Sequence, residues 1–450
     1  MPTDCVKFVR SLLAAACALV GVAGCAVSPA RNAVDSSSAV SRVVDAPELI
    51  PSSSGVRRVA DEVKTTGPLG LDELLALTRQ QNPAIAAAHA RVTEVTGQLV
   101  QAGLYPNPTV GYLGMQINDG PGTAGQQGVF VAQDIVTADK LTVAREAAEH
   151  ALNAADWQAT SQWHEASIRV RGAYYEYLTA RSILRESEDI VAQFEEGLQK
   201  AENLAKAGTV LNYEVLRFRV ELTQARNRVG AARERLTAAE RLLATAVGIG
   251  VLPAPIAAAE LPSDPPAVDF DAVMAASERT SSLQEAVALT NQARDQIRLA
   301  DLQNVPNLQV QAAGMYDFAI NAPMANVQIG VMLPFWHRNE GNILAAQGRL
   351  VQAQKGVDQA RLRVRERLTA ACQKYRNARR QLDLYDKQVI PDATTALKQV
   401  EMIYEAKGER FFETLDARRV LAQARVDYRQ ALGDAWQAIS EIEGIVQATK

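Results

Sequence analysis

A seven-residue repeat of apolar and small positions sets the hardest limit on how this chain can fold. One seam runs Trp163, Ala166, Val170, Ala173, Tyr177, Ala180, Leu184, Ser187, Val191, Phe194, Leu198, Ala201, Ala205, in steps of three and four. A second returns through Val215, Phe218, Leu222, Ala225, Val229, Ala232, Leu236, Ala239, Leu243 and Ala246. A third occupies Ala417, Leu421, Ala424, Tyr428, Ala431, Ala435, Ala438, Ile442 and Ile445. A sustained period of 3.5 keeps one stripe facing a partner only if the helices supercoil left-handedly. Asp139 to Lys206 as a single helix would rise about 100 Å, against about 30 Å for a small domain. Rods of that length cannot bury their seams inside a compact monomer, so side-by-side packing with further copies is implied. The wealth of Ala and an aromatic content of only 5% suit closely packed helices.

The chain also repeats itself at an offset of about 200 residues, in unchanged order. Leu71-Asp72-Glu73-Leu74-Leu75 parallels Phe270-Asp271-Ala272-Val273-Met274, and Tyr105-Pro106-Asn107-Pro108 parallels Val305-Pro306-Asn307-Leu308. Gly208, Glu214, Leu216 and Gln224-Ala225-Arg226 parallel Gly408, Glu413, Leu415 and Gln423-Ala424-Arg425, with one residue lost before Glu413. The first repeat is expected over 68–248 and the second over 270–448. Between them, 249–269 holds Pro253, Pro255, Pro262, Pro265 and Pro266, a density that breaks helix and sheet alike and marks a crossover. Each half is expected to hold a short helix, two strands and a long helical hairpin, the first short helix running from Leu71 to about Gly103.

Strands are expected at 109–118 and 126–135, flanking Asp119-Gly120-Pro121-Gly122, and at 308–318 and 326–335, flanking Asn321-Ala322-Pro323. In the third segment Leu308, Val310, Ala312, Gly314, Tyr316 and Phe318 alternate with Gln309, Gln311 and more polar neighbours. In the fourth, Val327, Ile329, Val331 and Leu333 alternate with Gln328, Gly330 and Met332. Period two with one apolar face marks strands, and about ten residues suffice to cross an outer membrane when tilted. The first segment alternates poorly. Four strands cannot close a transmembrane barrel, which starts at eight; two copies give eight and three give twelve, and periodicity does not choose. Phe335 and Trp336 close the fourth segment and fit either an interfacial aromatic girdle or a strand–helix junction core.

Residues 1–24 resemble an export signal, with Lys7 and Arg10 before the apolar Ser11 to Gly24, too short to span a bilayer. Val22-Ala23-Gly24-Cys25 resembles the bacterial lipoprotein processing box, which makes Cys25 an acylated N-terminus; each buried methylene contributes about 0.8 kcal/mol to such anchoring. Residues 25–67 then form the anchor and an extended tether. Cys5 and Cys17 leave with the signal, so Cys372 is expected to be a small packing residue without a disulfide partner.

No catalytic constellation, phosphate-binding Gly-Lys loop or metal-ligand cluster is present, so neither an enzyme nor a cofactor is expected. The histidines His89, His150, His164 and His337 are scattered. A net charge of -4 gives no footprint for nucleic acid.

Several further stretches point to a known family. Asn82-Pro83 lies within the first helical stretch, and Leu333-Pro334-Phe335-Trp336-His337-Arg338-Asn339-Glu340-Gly341-Asn342-Ile343 follows the fourth strand. Val389-Ile390-Pro391 precedes Tyr404-Glu405-Ala406-Lys407-Gly408, and Leu415-Asp416-Ala417 comes after. With these, residues 65–448 resemble the TolC-type outer-membrane factors of tripartite efflux systems, and the last three stretches lean toward the cation-efflux branch. Ser281-Ser282 departs from the pattern, standing where the first half has Asn-Pro.

The resemblance implies a mainly α fold with a transmembrane β part: a homotrimer joining a twelve-stranded β-barrel to a twelve-helix coiled-coil α-barrel. It implies a passive exit duct for solutes, metal cations or drugs, working with a periplasmic adaptor and an inner-membrane pump of the RND type, lipid-anchored in the outer membrane with a large periplasmic part. It places adaptor docking at the hairpin tips, Ala207, Gly208 and Thr209 in one and Lys407, Gly408 and Glu409 in the other. It places an acidic ring at the tunnel entrance on Glu413 and Asp416, although acids in a helix's first turn also simply complement the macrodipole. Export of proteins by a type I secretion system uses the same fold. A lipid-anchored coiled-coil scaffold without a pore would explain the seams but not the matched strands.

Overall fold

The computed structural model describes residues 67–117, 125–208, 211–407 and 411–447. The export signal, Cys25 and all of the tether before residue 67 lie outside these, as do Asp119-Gly120-Pro121-Gly122, Thr209, Gly408 and Glu409.

In chain order the elements are α1 (Leu71–Gln81), α2 (Pro83–Ala102), β1 (Thr109–Met115), β2 (Gln126–Ile135), α3 (Lys140–Lys206) and α4 (Asn212–Val247). The second half holds α5 (Phe270–Ala276), α6 (Ser281–Leu302), β3 (Leu308–Asp317), β4 (Ala322–Val331), α7 (Glu340–Leu384), α8 (Ile390–Lys407) and α9 (Phe411–Gln447). The described residues divide into two compact units, one of Glu94–Leu152 and Thr290–Gln352, the other of Ala60–Thr93, Asn153–Leu289 and Ala353–Lys450.

The single short helix expected from Leu71 to Gly103 is in fact two. Asn82 takes φ -72° and ψ 119°, because the ring of Pro83 excludes helical backbone from the residue before it. Pro83 then occupies the first position of α2, where its missing N–H is no loss. The Asn82 side chain is used twice: its amide donates to Ala246 O at 3.3 Å and its Oδ1 accepts from Ala84 N at 3.0 Å. The second half breaks at the matching place without that dipeptide. There a 3₁₀ turn, Ser277–Arg279, and the extended Thr280 (ψ 148°) separate α5 from α6.

The first unit is built on one antiparallel sheet of order β1-β2-β3-β4. Two strands differ from their expected bounds. β1 stops at Met115, because Gln116 adopts φ +51° and leaves the strand. β4 runs Ala322–Val331, four residues earlier than 326–335, because it pairs in full with β3 from Asp317↔Ala322 to Leu308↔Val331. Pro323 is tolerated inside it because β4 is an edge strand of the chain's sheet. Phe335 and Trp336 therefore lie beyond the strand, 67% and 95% exposed, and not in a junction core.

In the second unit the α4 seam packs as the heptads require, whereas on α3 the buried face also takes in Tyr174, Leu178, Ile183 and Ile190, off the expected seam, and leaves Ala173, Tyr177, Leu184 and Val191 half-buried. Along α4, Val215, Phe218, Leu222, Ala225, Val229, Ala232, Ala239 and Leu243 are buried. Ala166, Val170, Ala180, Phe194 and Ala201 of α3 are buried too, and Phe194 and Phe218 meet edge to face at 6.5 Å. Ion pairs Arg226–Glu195 (2.7 Å) and Arg233–Glu188 (2.9 Å) tie α3 to α4; being exposed, they hold register more than they stabilise. The proline-rich crossover straps this bundle: Trp436 Nε1 donates to Pro262 O at 2.7 Å and the Tyr375 hydroxyl to Pro266 O at 2.8 Å.

Between α7 and α8 the helix takes one π turn, Tyr385–Val389, in which Ile390 N donates to Tyr385 O. Pro391 is the cause. A proline inside a helix lacks the donor for the fourth carbonyl back and its ring collides with that carbonyl, and a π bulge relieves both. Cys372 is a buried free thiol, its pKa raised by burial.

Candidate functional site

The sheet's two faces differ in polarity once register is known, since directly paired residues share a face, although Gln127 and Gln133 fall on the mainly apolar side and Leu113, Phe130, Met315 and Met324 on the other. Val110↔Val131, Tyr112↔Val129, Val131↔Ala312, Val129↔Gly314, Ile135↔Leu308, Val310↔Ile329, Ala312↔Val327 and Leu308↔Val331 are all on one side. The opposite side carries Gln126↔Asp317, Asp134↔Gln309, Gln311↔Gln328 and Ala313↔Asn326, with Gln126 Nε2 donating to Asp317 Oδ2 at 2.9 Å. The apolar side stays open in the chain: Val110, Val327 and Ile329 are 69%, 68% and 66% exposed. An apolar sheet face of this extent is stable against lipid, and a polar opposite face against water, which is the division in a channel barrel. No described helix is long and apolar enough to cross a membrane.

At the far end of α3 the first tip is a tight turn. Ala207 N donates to Asn203 O at 3.1 Å and Gly208 N to Ala205 O at 3.1 Å, and Gly208 takes φ +75°, a value natural to glycine. α4 then starts at Asn212 after the exposed Leu211. In the second hairpin, α8 ends at Lys407 and α9 starts at Phe411.

Glu413 and Asp416 fall in the first turns of α9, both exposed. They line one cleft of about 460 Å³ with Ala393, Ala396, Ala417, Val420 and Arg217. Arg217 was not singled out in the sequence, although the repeat contains the signal: Leu216-Arg217 aligns with Leu415-Asp416, so Arg217 is the counterpart of Asp416 with the opposite charge. Asp416 also pairs with Arg419 at 2.8 Å. The acids therefore sit among counter-charges, not as bare carboxylates. Glu214, the counterpart of Glu413, is half-buried, and burial raises its carboxyl pKa although a backbone hydrogen bond at Leu211 opposes this.

The model of the family described as outer membrane efflux protein matches residues 74–249 and, separately, residues 273–445. The chain belongs to the outer membrane efflux protein family. The two matches coincide with the two halves of the internal repeat. The chain is 26% identical over 400 residues to the cobalt-zinc-cadmium resistance protein CzcC of Cupriavidus metallidurans, covering 85% of this chain and 91% of that protein. Among solved structures, the outer membrane protein VceC of Vibrio cholerae superposes with a TM-score of 0.70 at 16% identity, over 84% of this chain and 95% of that one. The MtrE outer membrane channel of Neisseria gonorrhoeae, in its open state, gives 0.68 at 15% identity over 84% and 89%. At that identity the structures establish the shared TolC-like fold.

Channels of the outer membrane efflux protein family are trimers that act with periplasmic adaptors and inner-membrane pumps. This member is thus an outer-membrane efflux channel with a periplasmic part, not an enzyme. A pore-free scaffold is excluded.

Proposed function

We propose that the chain is the homotrimeric exit duct of a tripartite system that expels divalent metal cations, energised by an RND-type inner-membrane pump and tethered to the outer membrane through an acylated Cys25. The observation that carries this reading is the pair Glu413 and Asp416, exposed together on the wall of one cleft in α9's first turns, just after the second tip. The likeness to a protein named for cobalt, zinc and cadmium resistance supports the cargo. The duct itself is passive. Three copies would bring six carboxylates to the entrance, disfavouring anions and drawing cations, with Arg217 moderating the field. The adaptor docks at the two hairpin tips, Ala207-Gly208-Thr209 and Lys407-Gly408-Glu409.

The cargo is tested by restoring zinc, cobalt and cadmium tolerance to a strain lacking the gene; tolerance unchanged by the gene, with drug tolerance restored instead, rejects metals. The entrance is tested in planar bilayers. Glu413→Gln with Asp416→Asn is expected to lower cation over anion preference several-fold, and Arg217→Ala to raise it. Opposite signs are the signature of a charge effect, and unaltered reversal potentials in both variants remove the ring. Because exposed charges are screened, the difference should shrink as salt rises from 0.1 M to 1 M, where the Debye length falls from about 10 to about 3 Å.

A further inference from the structure

Inside the chain, the turn leading from β2 into α3 is seated on the turn leading from α6 into β3. Thr137 Oγ1 donates to Pro306 O at 2.6 Å, and Lys140 Nζ donates to Val305 O at 2.5 Å and to Asn307 Oδ1 at 2.6 Å. Lys140 is only 6% exposed. The contact follows from strand order, since β2 lies beside β3.

The internal repeat supplies a second copy of each surface. Val305-Pro306-Asn307 corresponds to Tyr105-Pro106-Asn107, and Asp139-Lys140 to Asn339-Glu340. Asp139 and Asn339 share the same unusual backbone, φ +53° and +56°. Yet, apart from the buried Asn339, which donates to Ala300 O at 2.8 Å, these two counterparts are open in the chain. Every residue from 103 to 108 is exposed, as are 335–338 and Glu340, with Leu104 and Tyr105 at 54% and 60%. The edges of the sheet are β1 and β4, the strands to which these two turns belong.

We infer that the turn between β4 and α7 of one copy seats on the turn between α2 and β1 of the next, repeating between chains the contact that Lys140 makes within one. The occupant is a second copy of this chain, because the matching surface already exists on it by duplication. The polarity is reversed: where Lys140 donates to Asn307 Oδ1, the Glu340 carboxylate accepts from the Asn107 side-chain amide, and the Lys140 bond to Val305 O has no counterpart because a carboxylate only accepts. Pro106 O is engaged within the chain by Gln133 Nε2 at 2.9 Å, which leaves Asn107 and the Tyr105 side to the neighbour. The turn after β4 spans residues 332–339 where its counterpart spans 136–139. The added length carries Phe335 and Trp336, which cover the neighbour's Leu104 and Tyr105 and so remove apolar surface from water at the seam.

This inference rests on the homotrimer reading, and the test separates the two. Asn107→Cys and Glu340→Cys are combined in a Cys372→Ala background, and outer membranes are treated with a short bis-maleimide. Covalent dimers and trimers are expected on denaturing gels from the double variant and not from either single variant. Native mass of the untreated, detergent-extracted protein is measured in parallel. A native trimer whose chains stay unlinked, while both cysteines label singly with a soluble maleimide, overturns the contact and leaves the trimer standing. A native monomer overturns both.

Discussion

Gly433→Val is expected to lose most folded channel from the outer membrane and to lower the melting temperature of what remains by many degrees. A Cβ at 433 would stand 2.6 Å from Thr179 Cγ2 and 2.8 Å from Thr179 Cβ, well inside van der Waals contact. Thr179 cannot give way. It is fully buried on α3 and its hydroxyl is committed to Tyr175 O at 2.7 Å. Three helical turns on, Gly444 stands in the same relation to Ile168 of α3, whose Cδ1 lies 2.8 Å from a Cβ built there. As the numbers rise along α9 they fall along α3, so the two antiparallel helices touch through glycine at both points. Overpacking such a contact costs about 1–3 kcal/mol, and more where neither backbone can retreat. Gly230 of α4 is the contrast, with nothing within 4 Å of an added Cβ. There Gly230→Ala should stabilise by roughly 0.5–1 kcal/mol through lost unfolded-state freedom. Circular-dichroism melts of the purified variants check both. A Gly433→Val protein melting like wild type would mean that α3 and α9 do not approach so closely.

Gly208→Trp is expected to do the opposite: to leave a folded trimer and abolish export. The residue's φ of +75° imposes about 1–2 kcal/mol of strain on any side chain, but among the described residues nothing lies within 4 Å of a Cβ there. The indole therefore points outward, onto whatever the tip docks against. Export should fall to the level of a strain lacking the gene, while native mass and melting stay close to wild type. Gly208→Asn, which tolerates the left-handed backbone, should retain most export. Full export by Gly208→Trp would show that this tip docks nothing.

Much of the architecture is legible in the sequence because it is carried by periodicity. The steps of three and four from Val215 to Leu243 define a stripe on α4, and that stripe is the one buried. Alternation in β3 and β4 announces strands in the same way. The bounds were less legible. β1 and β4 differ from expectation because strand ends are set by pairing partners, and those lie on other segments. The helix break at Asn82-Pro83 was visible as a dipeptide but absorbed into one helix, and its counterpart at Thr280 has no proline to mark it.

The candidate site divides along the same line. Gly208 was identifiable as a turn residue because one helix stops and another starts there. Glu413 and Asp416 stood out as acids in a first turn. That Arg217 shares their cleft is a fact about two helices remote in the chain, and only the repeat alignment hinted at it.

The order of residues by itself determined that the chain is a duplicated arrangement of long supercoiling helices and paired strands, because helical and strand periods are local properties of a backbone. Tertiary structure alone decided which strand residues share a face, so that four imperfect alternations become one mainly apolar surface interrupted by Gln127 and Gln133. It also decided that glycines, not the large seam residues, set the separation of α3 and α9. Both are outcomes of register between distant segments, and a period along one segment carries no information about its phase against another.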